Sequence, residues 1–172
     1  CSTGEEVYTL AISLIESGLT SGVRLSVIGS DLCRSRIEFA ERGIYRDHSF
    51  RSTPARLKRK YFSPTPDGLA ISEEVKRICH FRPINLLDPQ EVRQVGRVDA
   101  IFCRNVLIYF ADNSRHQVIE HFHERLIPGA HLFLGHSENL LTTPSPFESV
   151  SLEKDIAYRR AATHSPLERN HR

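Results

Sequence analysis

The sequence predicts an α/β fold with a mostly parallel sheet. Three observations carry that reading. Helix-period and strand-like segments alternate along much of the chain. Residues 98–103 form a nearly continuous apolar run, as a parallel strand covered on both faces requires. The conspicuous polar residues come directly after strands, where open parallel sheets bind ligands. The chain has 172 residues, 40% hydrophobic and 26% charged, which is enough for one domain with a substantial core.

The elements follow in order. After Cys1-Ser2-Thr3-Gly4-Glu5-Glu6, the residues Val7, Leu10, Ala11, Leu14 and Ile15 share one helical face, and Gly18 and Gly22 end the helix. Residues 23–28 read as a buried strand closed by Gly29-Ser30-Asp31. A second helix spans 32–42 and stops at Gly43. Residues 46–77 read as a small β insertion: short strands at Tyr61-Phe62 and Leu69-Ala70-Ile71 flank the turn Pro64-Thr65-Pro66-Asp67-Gly68. Residues 78–87 form the next strand and 98–103 the one after it. A helix over 112–126 places Val118, Ile119, Phe122 and Leu126 inward, with Ser114 and Gln117 as a capping box. Pro128-Gly129 stops the chain before a strand over 131–135. Residues 147–150 and 156–159 pair antiparallel. The tail, 161–172, is polar and expected to be disordered.

Composition excludes several classes. Lys and Arg number 23 against 21 Asp and Glu, a net charge of +2, so no global field draws the chain to nucleic acid or an anionic membrane. No apolar run approaches the roughly 20 residues of a membrane span. Nothing at the start of the chain resembles a signal peptide, so none is expected. Cys1 at the start and the lack of any Met read as a fragment or a processed chain. Cys1, Cys33, Cys79 and Cys103 form no CxxC pair, so reduced thiols in a cytoplasmic protein are expected. The nine histidines fall in no HxxxH or HExxH pattern, and no metal site is expected.

Each polar group after a strand admits two readings. The loop 2–6 can bring backbone N–H groups to a ligand, or Thr3 and Glu6 can simply cap a helix. Asp31 can accept from both hydroxyls of a ribose or cap the next helix. Asn85 and Leu86 can pair with the edge and cover the face of an adenine, or form a turn. Arg104, Asn105 and Tyr109 interrupt an apolar context. An Arg buried there requires an anionic or carbonyl partner, and the plain alternative is a structural ion pair with a core Tyr. His136 can line a pocket, and a loop or cap role for His136, Ser137 and Glu138 alike is the equal alternative. The stretch 34–60 holds nine basic against three acidic residues.

Taken together, the motifs resemble the chemotaxis receptor methyltransferases of the CheR family, the protein-glutamate O-methyltransferases. The matching pieces are Cys-Ser-Thr-Gly-Glu-Glu at 1–6, Ser-Asp-Leu at 30–32, Gly-Ile-Tyr at 43–45 and Asn-Leu-Leu at 85–87. They continue with Phe-Cys-Arg-Asn-Val-Leu-Ile-Tyr-Phe at 102–110, Leu-Ile-Pro-Gly at 126–129 and Leu-Phe-Leu-Gly-His-Ser-Glu at 132–138. Ala130 and Ala111 depart from the commoner pattern at peripheral places. The resemblance implies a Rossmann-like class I methyltransferase domain over 1–160 that binds S-adenosylmethionine and yields S-adenosylhomocysteine. It also implies that a first strand and an N-terminal helical domain precede Cys1. By resemblance, Glu6, Asp31, Asn85, Leu86, Arg104 and Asn105 bind the cofactor, and Arg104 and Tyr109 act at the methyl group. The implied substrates are glutamate side chains on cytoplasmic helices of chemotaxis receptors, with the enzyme working as a monomer. A cofactor-sensing or receptor-docking module without turnover is the alternative. A dehydrogenase is disfavoured because no GxGxxG occurs.

Overall fold

A computed structural model describes residues 1–19, 22–140, 145–153 and 155–162. Of the tail expected to be disordered, 163–172 lie outside the described residues. The chain divides into two compact units, Cys1–Asn85 and Leu86–Arg172, each with its own core.

The first unit opens with helix α1, Glu5–Ser17, which ends at Gly18 in the left-handed conformation (φ 66°). Strand β1, Val27–Asp31, lies parallel to β5, Cys79–Pro83, with Asp31 opposite Pro83. Helix α2, Arg34–Arg42, stops at Gly43, as expected. The insertion forms an antiparallel sheet in which β4 (Gly68–Ile71) lies between β2 (Ile44–Tyr45) and β3 (Phe62–Thr65). Two short helices belong here as well, α3 at Ala55–Tyr61 and α4 at Glu73–Lys76.

Three expectations need correction in this unit. The first strand begins at Val27 and takes in Gly29-Ser30-Asp31; Val23 is exposed. The buried face of α1 is Val7, Tyr8, Ala11 and Ile12, while Leu14 is exposed. Tyr8 turns the helix: its hydroxyl donates to the Ala40 carbonyl at 2.9 Å and its ring packs on Phe81. A Tyr with a satisfied hydroxyl is as good a core residue as Leu, so a tally of aliphatic positions misplaces the face by one residue. Thr3 and Glu6 form no capping box, because Gly4 (φ 90°) is the N-cap.

The second unit holds α5 (Pro89–Arg93), β6 (Val98–Cys103), α6 (Asp112–Arg125), β7 (Leu126–Leu134), β8 (Phe147–Ser151) and β9 (Ile156–Arg160). The sheet order is β6-β7-β9-β8, with β6 and β7 parallel and the rest antiparallel. Val118, Ile119 and Phe122 of α6 pack with Leu132, Leu134 and Cys103.

Here too the structure departs from expectation. Strand β6 is not covered on both faces within its unit: Cys103 is packed, while Phe102 is exposed and stacks on Phe133 at 4.6 Å. Residues Ser114 and Gln117 form no capping box, since the helix starts earlier, after Ala111. Pro128-Gly129 does not precede β7 but lies within it, where the register against β6 shifts between Val98 and Ala100. Helix α5 follows a start signal that the sequence reading left unassigned: Pro89 occupies its first turn and the Asp88 carboxylate accepts from the Gln90 N–H at 2.8 Å.

Candidate functional site

In the first unit Asp31 and Asn85 lie at the carboxyl end of the parallel pair β1–β5. Asp31 closes β1, and its carbonyl accepts from the Ile84 N–H at 3.1 Å, one residue before Asn85. Asp31 Oδ2 accepts from the Ser2 N–H at 2.8 Å and Oδ1 from the Cys33 N–H at 2.9 Å. One carboxylate therefore ties the 1–4 loop to the turn before α2. Burial raises its pKa, and the hydrogen bonds from the Cys33 and Ser2 N–H groups lower it. Asp31 is not the N-cap of α2, which is Cys33 with no side-chain cap bond; its bonds to Ser2 and Cys33 leave room for a ligand, because a carboxylate has about four acceptor sites.

The loop that meets Asp31 is strained and tightly packed. Ser2 adopts φ 48°, one of two described non-glycine residues with positive φ. A side chain on Gly4 would stand 2.8 Å from the Ala40 Cβ and 3.0 Å from the Tyr45 hydroxyl. Glu5 is taken up locally, accepting from Thr3 Oγ1 at 2.6 Å and Ser49 Oγ at 3.1 Å. Glu6 is half-buried in the first turn of α1.

The other predicted residues lie in the second unit. The Leu86 carbonyl is held at 2.8 Å by His121 Nδ1 of α6, a partner the sequence reading did not identify. Arg104 directly follows β6 and is exposed, so the inference from a buried guanidinium does not apply. Asn105 has φ 57°. Tyr109 ends a short 3-10 turn, Leu107–Tyr109, and is 83% exposed, which excludes the core-Tyr reading. His136 is exposed, 4.0 Å from Asp155, and lines a cavity of about 360 Å³ with Gly135, Glu138, Asn139 and Tyr158.

Glu138 has a larger part than a loop or cap residue. It is the one buried charged residue among those described. Its carboxylate accepts from the backbone N–H groups of Asn105, Val106, Leu107, Ile108 and Gly135 at 2.7–3.3 Å. The signal in the sequence was a Glu set among small and polar residues just past a strand, which also describes an ordinary loop.

Residues 1–156 match the family described as CheR methyltransferase, SAM binding domain. The chain belongs to that family. A relative, "Chemotaxis protein methyltransferase 2" of Vibrio cholerae, is 37% identical over 160 residues, covering 92% of this chain and 56% of its own length. "Probable biofilm formation methyltransferase WspC" of Pseudomonas aeruginosa is 32% identical, covering 94% of this chain and 38% of its own length. The chain thus spans about half, or less, of these curated relatives. Among solved structures, the rRNA methyltransferase aviRa from Streptomyces viridochromogenes aligns with a TM-score of 0.55 at 13% identity, over 93% of this chain and 73% of that one. That likeness supports the Rossmann-like methyltransferase fold.

The cofactor of a CheR SAM-binding domain is S-adenosylmethionine. The first unit fits part of such a ligand: Asp31 retains acceptor capacity for hydroxyl groups at the end of β1. Gly4 lets the backbone stay close where a Cβ would collide.

Proposed function

We propose that the chain is the cofactor-binding and catalytic part of a protein-glutamate O-methyltransferase. It methylates glutamate side chains on the cytoplasmic helices of chemotaxis receptors and so serves sensory adaptation. The products are glutamate methyl esters and S-adenosylhomocysteine. The observation that carries the reading is the family match over 1–156, and the relatives' names support chemotaxis. Residues 1–160 act as one cofactor-binding domain, in the cytoplasm and as a monomer. No helix among the described residues is long and apolar enough to cross a membrane.

Glu6, Asp31, Asn85, Leu86, Arg104 and Asn105 hold the cofactor: Asp31 at the ribose, Asn85 and Leu86 at the adenine, Arg104 and Asn105 toward the amino-acid end. When bound, S-adenosylmethionine supplies an electrophilic methyl group on a sulfonium. A glutamate substrate has a reference pKa of about 4.3, so it is already ionised at neutral pH and needs no general base. The protein's task is orientation, which supplies on the order of 7–11 kcal/mol when reacting groups are held in line. Arg104 orients a carboxylate of substrate or cofactor, and Tyr109 donates a hydrogen bond beside the methyl.

The deciding experiment incubates the full chain with S-adenosylmethionine labelled in the methyl group and receptor-bearing membranes. Label should appear in receptor as a base-labile ester. Cofactor binding without any transfer would refute catalysis and leave the non-catalytic module.

A further inference from the structure

We propose that Glu138 is a positioning residue for methyl transfer, holding the 105–108 backbone in the one conformation that displays Arg104, Asn105 and Tyr109. The inference rests on the reading just given for those three residues. Its ground is the shape of the loop. Asn105 is left-handed at φ 57° and Val106 follows at φ −119°, ψ −47°. Left- and right-handed residues in succession turn consecutive N–H groups to the same side and make an anion-binding concavity. The Glu138 side chain fills it. Oε1 accepts from Val106, Leu107 and Ile108 at 2.8, 2.7 and 3.3 Å. Oε2 accepts from Asn105 at 2.7 Å and from Gly135 at 2.9 Å.

Leu107 is fully buried and Val106 and Phe110 pack against the same core, while Arg104, Asn105, Ile108 and Tyr109 are exposed, so the Glu138 carboxylate meets the backbone of the part of the loop that faces outward. The carboxylate is itself well anchored. The Glu138 N–H returns to the Gly135 carbonyl at 2.8 Å, and two residues on the Leu140 N–H donates to the Tyr158 hydroxyl at 3.0 Å. Gly135 is needed for the contact, since a Cβ there would stand 2.7 Å from Oε2 and 3.2 Å from the Asn105 nitrogen.

All five partners are donors, so the side chain accepts at both oxygens, which a carboxylate can do and an amide cannot. In Glu138→Gln one position turns an NH2 toward N–H groups, and the loop must release two or three of them. A shift of about 1 Å in a catalytic group costs on the order of 100-fold in rate.

The test measures kcat for receptor methylation by the full chain, corrected to the folded fraction from circular dichroism. Glu138→Gln should lower kcat about 100-fold while the protein stays folded. A loss of less than tenfold in folded protein overturns the proposal. Should Glu138→Gln not fold, Gly135→Ala displaces the same carboxylate and is judged by the same threshold. Failure of both to fold would make Glu138 a stability residue only, and the proposal would be wrong. An inactive wild-type chain refutes the methyltransferase reading; an active wild type beside an equally active variant refutes this inference alone.

Discussion

Asp31 holds two structural hydrogen bonds and still has acceptor sites to offer. Removing the side chain costs both uses at once, the tie to Ser2 and the bonds to ligand hydroxyls. Hydrogen bonds to a charged group are worth about 1.5–3 kcal/mol each. Asp31→Ala should therefore weaken S-adenosylmethionine binding at least about tenfold by calorimetry, and an unchanged Kd would end the ribose assignment. Arg104 is exposed and placed at a strand end, so Arg104→Ala should leave the melting temperature nearly unchanged and lower kcat/KM roughly 100-fold or more. Normal receptor methylation by that variant would remove Arg104 from the mechanism. The cysteines differ as sharply. Bonding to the Ser35 hydroxyl and the Arg36 N–H lowers the pKa of the exposed Cys33 thiol, and burial pushes Cys79 up to about 12. Because the thiolate is the reactive form, iodoacetamide should modify Cys33 in the native protein well before Cys79 or Cys103, as peptide mass mapping would show.

Helices α1 and α3 are clamped by a single acid. Glu16 accepts from Lys60 Nζ at 2.6 Å and from the Tyr61 hydroxyl at 2.7 Å, and pairs with Arg56 at 2.6 Å. The Lys60, Tyr61 and Arg56 bonds hold its pKa down at about 2. A value depressed in the folded state means that the ionised form favours folding. The contribution is whole above the unfolded-state value of about 4.3 and fades as pH falls through that value toward 2. Denaturation midpoints of wild type and Glu16→Gln should differ at pH 6 and converge near pH 2. A gap that persists undiminished in acid would assign the effect to packing. The clamp was invisible beforehand because α3 was not expected at all: its seven residues, Ala55–Tyr61, carry mostly basic side chains and present no apolar stripe to count. Where the local pattern was strong, a helical period after residue 112 and a nearly continuous apolar run over 98–103, existence and type were readable from it. Burial was not, and Tyr8 and Phe102 show why. Whether a ring is packed depends on what the rest of the chain brings against it.

Each compact unit carries part of the proposed cofactor set, and each can be interrogated separately. A ligand that binds the native state adds about 2.7 kcal/mol at 100 times its Kd. Hydrogen exchange at that concentration should show new protection around Ser2 and Cys33 in the first unit and along 105–108 in the second. Protection confined to the first unit would strike Arg104 and Asn105 from the cofactor-binding residues. The family, the fold class, the helix stops at Gly18 and Gly43 and the order of motifs were all legible from the bare residue string. They rest on φ preference, short-range periodicity and motif order, all of which are linear properties of a chain. The assignment of the carboxylates was not legible. Glu5 bonds Ser49, Asp31 bonds Ser2, and Glu138 gathers N–H groups 30 to 33 residues away. A carboxylate looks the same in the string whether it caps, binds or braces, since its acceptor sites are filled by whatever donors folding delivers.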